Sequence, residues 1–235
     1  MYTFDARIRF SEVDSAGYLT LPALLDYFQD CSTFQSEDLG VGISFLTERN
    51  MFWVLSSWQI VTDRYPKLTE RVKVGTFPYE FKGFFGYRNF FMQDEDGNFI
   101  AKANSLWTLI NMKTYKPERP PAEVASAYKI EDRLEMDYAG RKIAVPEGGK
   151  YMEEIVVKKH HLDTNHHVNN GQYVKIAEEY LPEGYIVKQM RAEYRKQAFL
   201  DDVIKPYVFN EDDRYVISLN DADDKPITIV EYIGA

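Results

Sequence analysis

HHLDTNHHVNNGQYV, residues 160–174, holds all four histidines of a 235-residue chain. It lies between a strand-like run at 152–159 and a run with helical spacing at 169–180. A loop in that position is held by rigid elements and faces the free N–H groups at a helix start. Asp163 offers a base, Asn165 an amide donor, and His167 a donor or proton carrier near neutral pH. These types suit hydrolysis of an ester or thioester, where water must lose a proton and an oxyanion must be stabilised. The same residues also make an Asx-turn leading into a helix capped by Asn169 and Asn170. Spacing alone leaves both readings open.

A metal site is the third reading. Adjacent histidines on extended chain point to opposite faces, which separates each His-His pair. There is no cysteine cluster and no His-Glu-x-x-His pattern. No metal and no cofactor are expected. Coordination by His160 or His161 with His166 is the alternative, and otherwise these three are expected to be solvated or packing residues.

Working outward, the elements around this stretch occur twice. Tyr2 to Phe10 reads as a strand, with Phe4, Ala6, Ile8 and Phe10 on one face. SEVDSAGYLTLPALLDYFQD (residues 11–30) follows, with Thr20 placed to cap a helix over 21–39 that ends at Gly40. Strand-like runs lie at 51–64, 70–80, 83–94 and 98–112, the last two joined by a hairpin at 94–97. After the stretch 160–174, runs at 185–197, 202–210, 213–220 and 226–233 repeat that order, with a hairpin at 221–224. Val13-Asp14-Ser15 aligns with Leu162-Asp163-Thr164, 149 positions on. Glu70-Arg71-Val72 aligns with Asp201-Asp202-Val203, 131 positions on. The order of elements, more than identity, argues for tandem copies of one fold.

Each copy reads as one strand, one helix and about four strands, an α+β arrangement. The helix must bury its apolar stripe on the sheet, and two sheets can join edge to edge and cover exposed edges. The predicted organisation is an N-terminal domain at 1–116, a proline-rich linker at 117–150 with a helical turn near Ala122–Tyr128, and a C-terminal domain at 151–235 carrying the motif. Single copies would pair as a symmetric dimer. The tandem chain makes that assembly internally and is also compatible with a further homodimer.

The formal net charge of −9 argues against nucleic acid or an anionic membrane as the main partner. One cysteine, Cys31, allows no intrachain disulfide and suits a reducing compartment. The sequence has no apolar run of about 18 residues. A cytoplasmic protein is expected. Cys31 falls in the predicted helix 21–39 and is expected to be a small buried hydrophobe rather than a nucleophile.

The chain resembles the acyl-acyl-carrier-protein thioesterases, which release fatty acids during fatty acid synthesis. LDTNHHVNNGQYV at 162–174 is similar to that family's Leu-Asp-x-Asn-x-His-Val-Asn-Asn-x-x-Tyr signature. Ala192-Glu193-Tyr194-Arg195-Lys196-Gln197 and SEVDSAGYLTLPALLDYFQD match two further segments. The resemblance covers nearly the whole chain. It implies a tandem (double) hotdog, with two antiparallel sheets each packed on a long helix and joined edge to edge.

By this resemblance Asp163, Asn165 and His167 occupy the catalytic positions, with no cofactor. Gln197 stands where the plant members place a glutamate, and Ala198 where a cysteine often follows. Glutamine cannot act as a base, so Asp163 is left as the carboxylate base and Gln197 is expected to orient water. The implied partner is acyl carrier protein bearing a fatty acyl chain. Lys158, Lys159, Arg191, Arg195 and Lys196 are candidates for a basic docking face. The first-half equivalents of the catalytic three are Asp14, Ala16 and Tyr18, so one active site is expected. Leu24, Leu25, Phe28, Trp53 and Phe81 are candidates to line an acyl pocket. Acyl-CoA hydrolysis and non-catalytic acyl binding are the alternative functions. A hydratase of the same fold is disfavoured, because its Asp-x-Asn-Pro-x-His pattern is absent.

Overall fold

The computed structural model describes residues 1–163 and 165–234. The chain forms two compact units, Met1–Ser56 with Ile60–Tyr138, and Ser57–Gln59 with Ala139 onward. The boundary at 138/139 falls inside the stretch read as a linker. That stretch is pinned rather than loose. Asn89 Oδ1, buried on its strand, accepts from Leu134 N (3.1 Å) and Tyr138 OH (3.0 Å). Farther on, Ile143 N donates to the buried Glu193 carboxylate (2.9 Å). Buried side-chain acceptors must be satisfied, and the crossing segment satisfies both.

The first unit contains strands β1 (Tyr2–Arg7), β3 (Arg71–Lys82), β4 (Phe85–Gln93) and β5 (Phe99–Asn111) and all of β2 (Met51–Thr62) except Ser57–Gln59. Its sheet order is β1-β3-β4-β5-β2, and the β1–β3, β3–β4 and β4–β5 pairs are antiparallel. Helix α1 (Leu21–Asp38) begins where Thr20 Oγ1 accepts from Ala23 N (3.3 Å), and Gly40 follows its end in the left-handed region (φ 70°). Its apolar stripe, Leu21, Leu24, Leu25, Phe28 and Cys31, is buried, with Phe28 packed on Phe90 of β4 (centroids 5.5 Å). A short helix α2 (Ile43–Glu48) lacks a sequence signal of its own, and α3 (Ala122–Ala127) lies in the expected place. Phe10 departs from the expected strand. It sits in a 3-10 turn, Phe10–Glu12, and is 84% exposed.

The second unit contains β6 (Lys150–Tyr151), β7 (Ile155–Val156), α4 (Asn170–Glu178), β8 (Val187–Tyr194), β9 (Val203–Glu211), β10 (Arg214–Asn220) and β11 (Pro226–Gly234). Its antiparallel order is β8-β11-β10-β9-β6, with β7 also on β9. Two expectations are corrected here. The strand expected over 152–159 is two fragments, because Pro206 of β9 has no N–H to return the bond that Met152 N makes to its carbonyl (3.0 Å). The second helix is nine residues long, shorter than α1, and Pro182 lies just beyond it.

The two units repeat bond for bond where the first strand leaves the sheet. Ile8 N donates to Glu70 O and Thr69 N to Ile8 O; Val157 N donates to Asp202 O and Asp201 N to Val157 O. Thr69 and Asp201 both adopt positive φ, 70° and 67°. These pairs place Val72 opposite Ala6 and Ile204 opposite Ile155, both buried, so the second offset is 132 and not the expected 131. A one-residue slip would turn each inward side chain outward.

The 3-10 turns after the first strands also correspond. Arg9 N donates to Glu12 Oε2 (2.8 Å) in one, and Lys158 N to His161 Nδ1 (3.0 Å) in the other. Accepting that bond requires a neutral imidazole. Burial, then the charges of His160, Lys158 and Lys175, hold His161 below the ordinary imidazole pKa.

Among the described residues, no helix is long and apolar enough to cross a membrane. Buried Glu231 on β11 accepts from Arg191 (2.7 Å) and Arg214 (2.8 Å), tying β8 and β10 across it.

Glu231→Gln leaves two arginines facing an amide, and it should cost about 2 kcal/mol in chemical denaturation. An unchanged midpoint would show that the pair is not structural. The folded pKa of His161 lies below its unfolded value. Neutral His161 therefore contributes stability above about pH 6.5 that is lost as pH falls through that value towards the folded pKa. His161→Gln keeps an acceptor for Lys158 N without titrating. Thermal melts at pH 7.5 and 5.5 should show a smaller acid loss in the variant than in the wild type, and parallel losses would refute this role.

Candidate active site

The turn that carries Asp163 is closed by its own carboxylate. Asp163 N donates to His167 O (2.8 Å), and Asp163 O accepts from His166 N (3.1 Å). Asp163 Oδ1 accepts from Asn165 N (2.8 Å) and His167 N (3.3 Å). The same four bonds recur at three other aspartates: Asp14, Asp94 and Asp221. The fourth position of each turn has positive φ: Gly17 82°, Gly97 83°, His166 63° and Asp224 61°. Histidine there costs on the order of 1 kcal/mol relative to glycine.

The Asx-turn reading of Asp163 is therefore correct, and it does not compete with a catalytic role. The turn bonds use Oδ1 and leave Oδ2 out of the turn. What distinguishes this turn is what it presents. Asn165 is exposed and His167 half-buried, where the matching turn after β1 has Ala16 and Tyr18.

Behind the turn, Asn169 caps α4, its Oδ1 accepting from Gly171 N (2.8 Å), while Asn170 is the first helical residue. Val168 N donates to Ala198 O (2.9 Å) and ties the turn to the segment after β8. The same segment is held from the helix by Tyr173, whose hydroxyl accepts from Ala198 N (3.0 Å). Tyr194 OH donates to Asn170 O (3.2 Å). Sequence reasoning missed these two tyrosines as supports. Tyr173 stands inside the quoted stretch, but its partner is 25 residues away.

Gln197 lies beyond β8, which ends at Tyr194, rather than on the expected strand. It is half-buried and lines a shallow depression of about 150 Å³ with Lys196, Asp202 and Asp221. Asp163, Asn165 and His167 do not line it. The fold brings those three together on one turn, with Ala198, the residue after Gln197, bonded to Val168 beside it.

The remaining candidates divide. His160 and His161 stack edge to face (4.2 Å), and no cluster of three His, Cys, Asp or Glu among the described residues could hold a metal. Cys31 is buried, which pushes its thiol pKa up to about 12 and makes it inert. Leu24, Leu25 and Phe28 are fully buried on the inner face of α1. Trp53 and Phe81 stack at 6.2 Å and are only half-buried, against Leu46, Met51 and Tyr128.

The five basic candidates differ in how far they are engaged. Arg191, its side chain 14% exposed, is consumed by Glu231 and the carbonyls of Gly140 and Lys142. Arg195 is paired with Glu193, and Lys196 with Asp221 (2.6 Å). Lys158 and Lys159 are exposed, and Lys175 of α4 joins Lys158 and His160 in the field acting on His161.

Comparison with known proteins accords with this geometry. Residues 1–128 match the family model of the acyl-ACP thioesterase N-terminal domain, and residues 146–226 that of the C-terminal domain. A chloroplastic acyl-[acyl-carrier-protein] hydrolase, FATB1 of Cuphea viscosissima, is 25% identical over 219 residues, covering 84% of this chain and 51% of that protein. Oleoyl-acyl carrier protein thioesterase 2 of Arabidopsis thaliana is 25% identical over 233 residues, covering 90% and 63%. The chain thus spans between about half and less than two thirds of the length of these relatives. Among solved structures, an acyl-ACP thioesterase from Bacteroides thetaiotaomicron aligns with a TM-score of 0.90 at 23% identity, covering 99% of this chain and 97% of that one. The 12:0-ACP thioesterase of Umbellularia californica aligns with a TM-score of 0.88 at 19% identity and the same coverage. Those structural likenesses establish a hotdog-type fold, and the two family models, which together take in both units, show that the chain belongs to the acyl-ACP thioesterase family.

Proposed function

We propose that this chain hydrolyses the thioester linking a fatty acyl chain to acyl carrier protein and releases the free fatty acid. The observation that carries the reading is the paired turn. The same backbone occurs after β1 and before α4, and only the second presents an amide and an imidazole beside the aspartate. In this reading Asp163 Oδ2 takes a proton from water as the water oxygen bonds to the thioester carbon. Asn165 and His167 donate hydrogen bonds to the developing oxyanion. When the tetrahedral species collapses, the C–S bond breaks and the proton held by Asp163 returns to the departing sulfur. Gln197 is assigned only the orientation of that water. The same proposal takes each unit as one hotdog, with the two sheets joined edge to edge.

The partner reading narrows to the exposed cations Lys158, Lys159 and Lys175, close in sequence or space to the turn. An acidic carrier docking there gives a rate that falls with ionic strength.

Turnover on acyl-carrier-protein and acyl-CoA thioesters across chain lengths is the direct test. Hydrolysis of CoA thioesters alone would replace the carrier-protein reading, and bound fatty acid without hydrolysis would replace the enzyme reading. Asp163→Asn keeps an acceptor for the turn but no base, so kcat should fall about 10³-fold with a melting temperature lowered less than in Asp163→Ala. Asp163→Ala should lose both activity and turn stability. Near-normal hydrolysis by Asp163→Ala would sink the assignment. Asn165→Ala and His167→Ala should each cost about 10²-fold or more in kcat. A silent Gln197→Ala would remove Gln197 from the mechanism.

A further inference from the structure

We infer that Phe199 is a positioning residue for His167, a role that rests on the hydrolase reading above. The two rings meet edge to face, with centroids 4.9 Å apart and planes at 81°. Phe199 is 49% exposed, so burial alone does not account for its placement. Its backbone fixes it instead. Phe199 N donates to Asp202 Oδ2 (2.8 Å), and Phe199 O accepts from Asp202 N (3.1 Å). The preceding residue, Ala198, is bonded on one side to Val168 and on the other to Tyr173. The phenyl ring therefore stands on a pinned segment while leaning on the imidazole.

The consequence lies in the His167 ring torsion. A histidine's last side-chain torsion has broad, roughly two-fold wells, and a half-turn exchanges a ring nitrogen for a ring carbon. An imidazole that must aim one N–H at an oxyanion loses its function in the flipped state. A ring packed edge to face against it restricts how the imidazole turns. Asp163 fixes the backbone of His167 and leaves its ring free to turn; Phe199 supplies the missing constraint.

The first unit offers an internal contrast. Leu19 N donates to Pro66 O there, as Val168 N does to Ala198 O, so Lys67 occupies the place of Phe199 and Tyr18 that of His167. Lys67 Nζ stands 5.7 Å from the Tyr18 ring centroid. The contact between these two positions is kept in both units, and only the second makes it a contact between two aromatic rings, one of them an imidazole.

Phe199→Ala, Phe199→Leu and Phe199→Tyr would be compared with the wild type in kinetics and in NMR of the labelled His167 imidazole. Phe199→Ala should lower kcat about tenfold with KM changed less than about threefold. It should also abolish the ring-current shift at His167 and average its ring orientations. Phe199→Tyr should restore both, and Phe199→Leu, of similar bulk without a ring, should restore neither fully. Unchanged kcat and unchanged His167 signals in Phe199→Ala would overturn the role. A wild type inactive on every acyl thioester would defeat the proposed function instead. The NMR comparison would then still decide whether Phe199 orders His167.

Discussion

One carboxylate oxygen accepting two backbone N–H groups is the constraint on which the site depends. Asp163 Oδ1 bonds the second and fourth residues after it, and in doing so it sets Asn165 and His167 on one tight turn. An ionised carboxylate accepting from backbone amides makes hydrogen bonds about twice as strong as neutral ones, so the turn is stiff for its length. Among the described residues the device occurs four times, at Asp14, Asp94, Asp163 and Asp221. The aspartate is therefore a building unit of this fold. The chemistry is decided by the residues the turn exposes and by what stands behind them.

Support for the turn comes from two directions. Ala198 receives Val168 N on its carbonyl and gives its own N–H to Tyr173, so strand end, turn and helix meet at one small buried residue. Farther out, buried carboxylates and amides hold the crossing segment and the sheet. Asn89 anchors 134–138, Glu193 anchors Ile143, and Glu231 clamps two arginines. Each of these acceptors would be costly to bury alone, and each is satisfied by a segment distant in sequence. A proline-rich stretch that looks like a flexible linker is, for this reason, part of two cores.

The duplication explains why one unit keeps the turn without the reactive groups. Ala16 and Tyr18 leave the four closing bonds of the first turn intact, because those bonds need only a carboxylate and backbone N–H groups. Loss of amide and imidazole is thus neutral for folding. The second turn even carries a cost the first avoids, since His166 adopts a positive φ where Gly17 and Gly97 do so freely.

Local chemistry was legible in the chain itself. The cap at Thr20, the end of α1 before Gly40, the hairpins at Asp94 and Asp221, and the strand runs from β2 to β5 follow from spacing, capping and turn residues within a few positions of each other. So did the grouping of Asp163, Asn165 and His167, because a five-residue turn brings its members together whatever surrounds it. Tertiary structure decided the rest. Only partners far along the chain show that Arg191 is bonded to Glu231, that Leu24, Leu25 and Phe28 are buried, and that Gln197 lies past its strand. The one-residue correction of the repeat and the leaning of Phe199 on His167 are of the same kind. These depend on register and burial, and a register is fixed by which side chains can share an interior, a property of two segments at once that no single stretch of sequence contains.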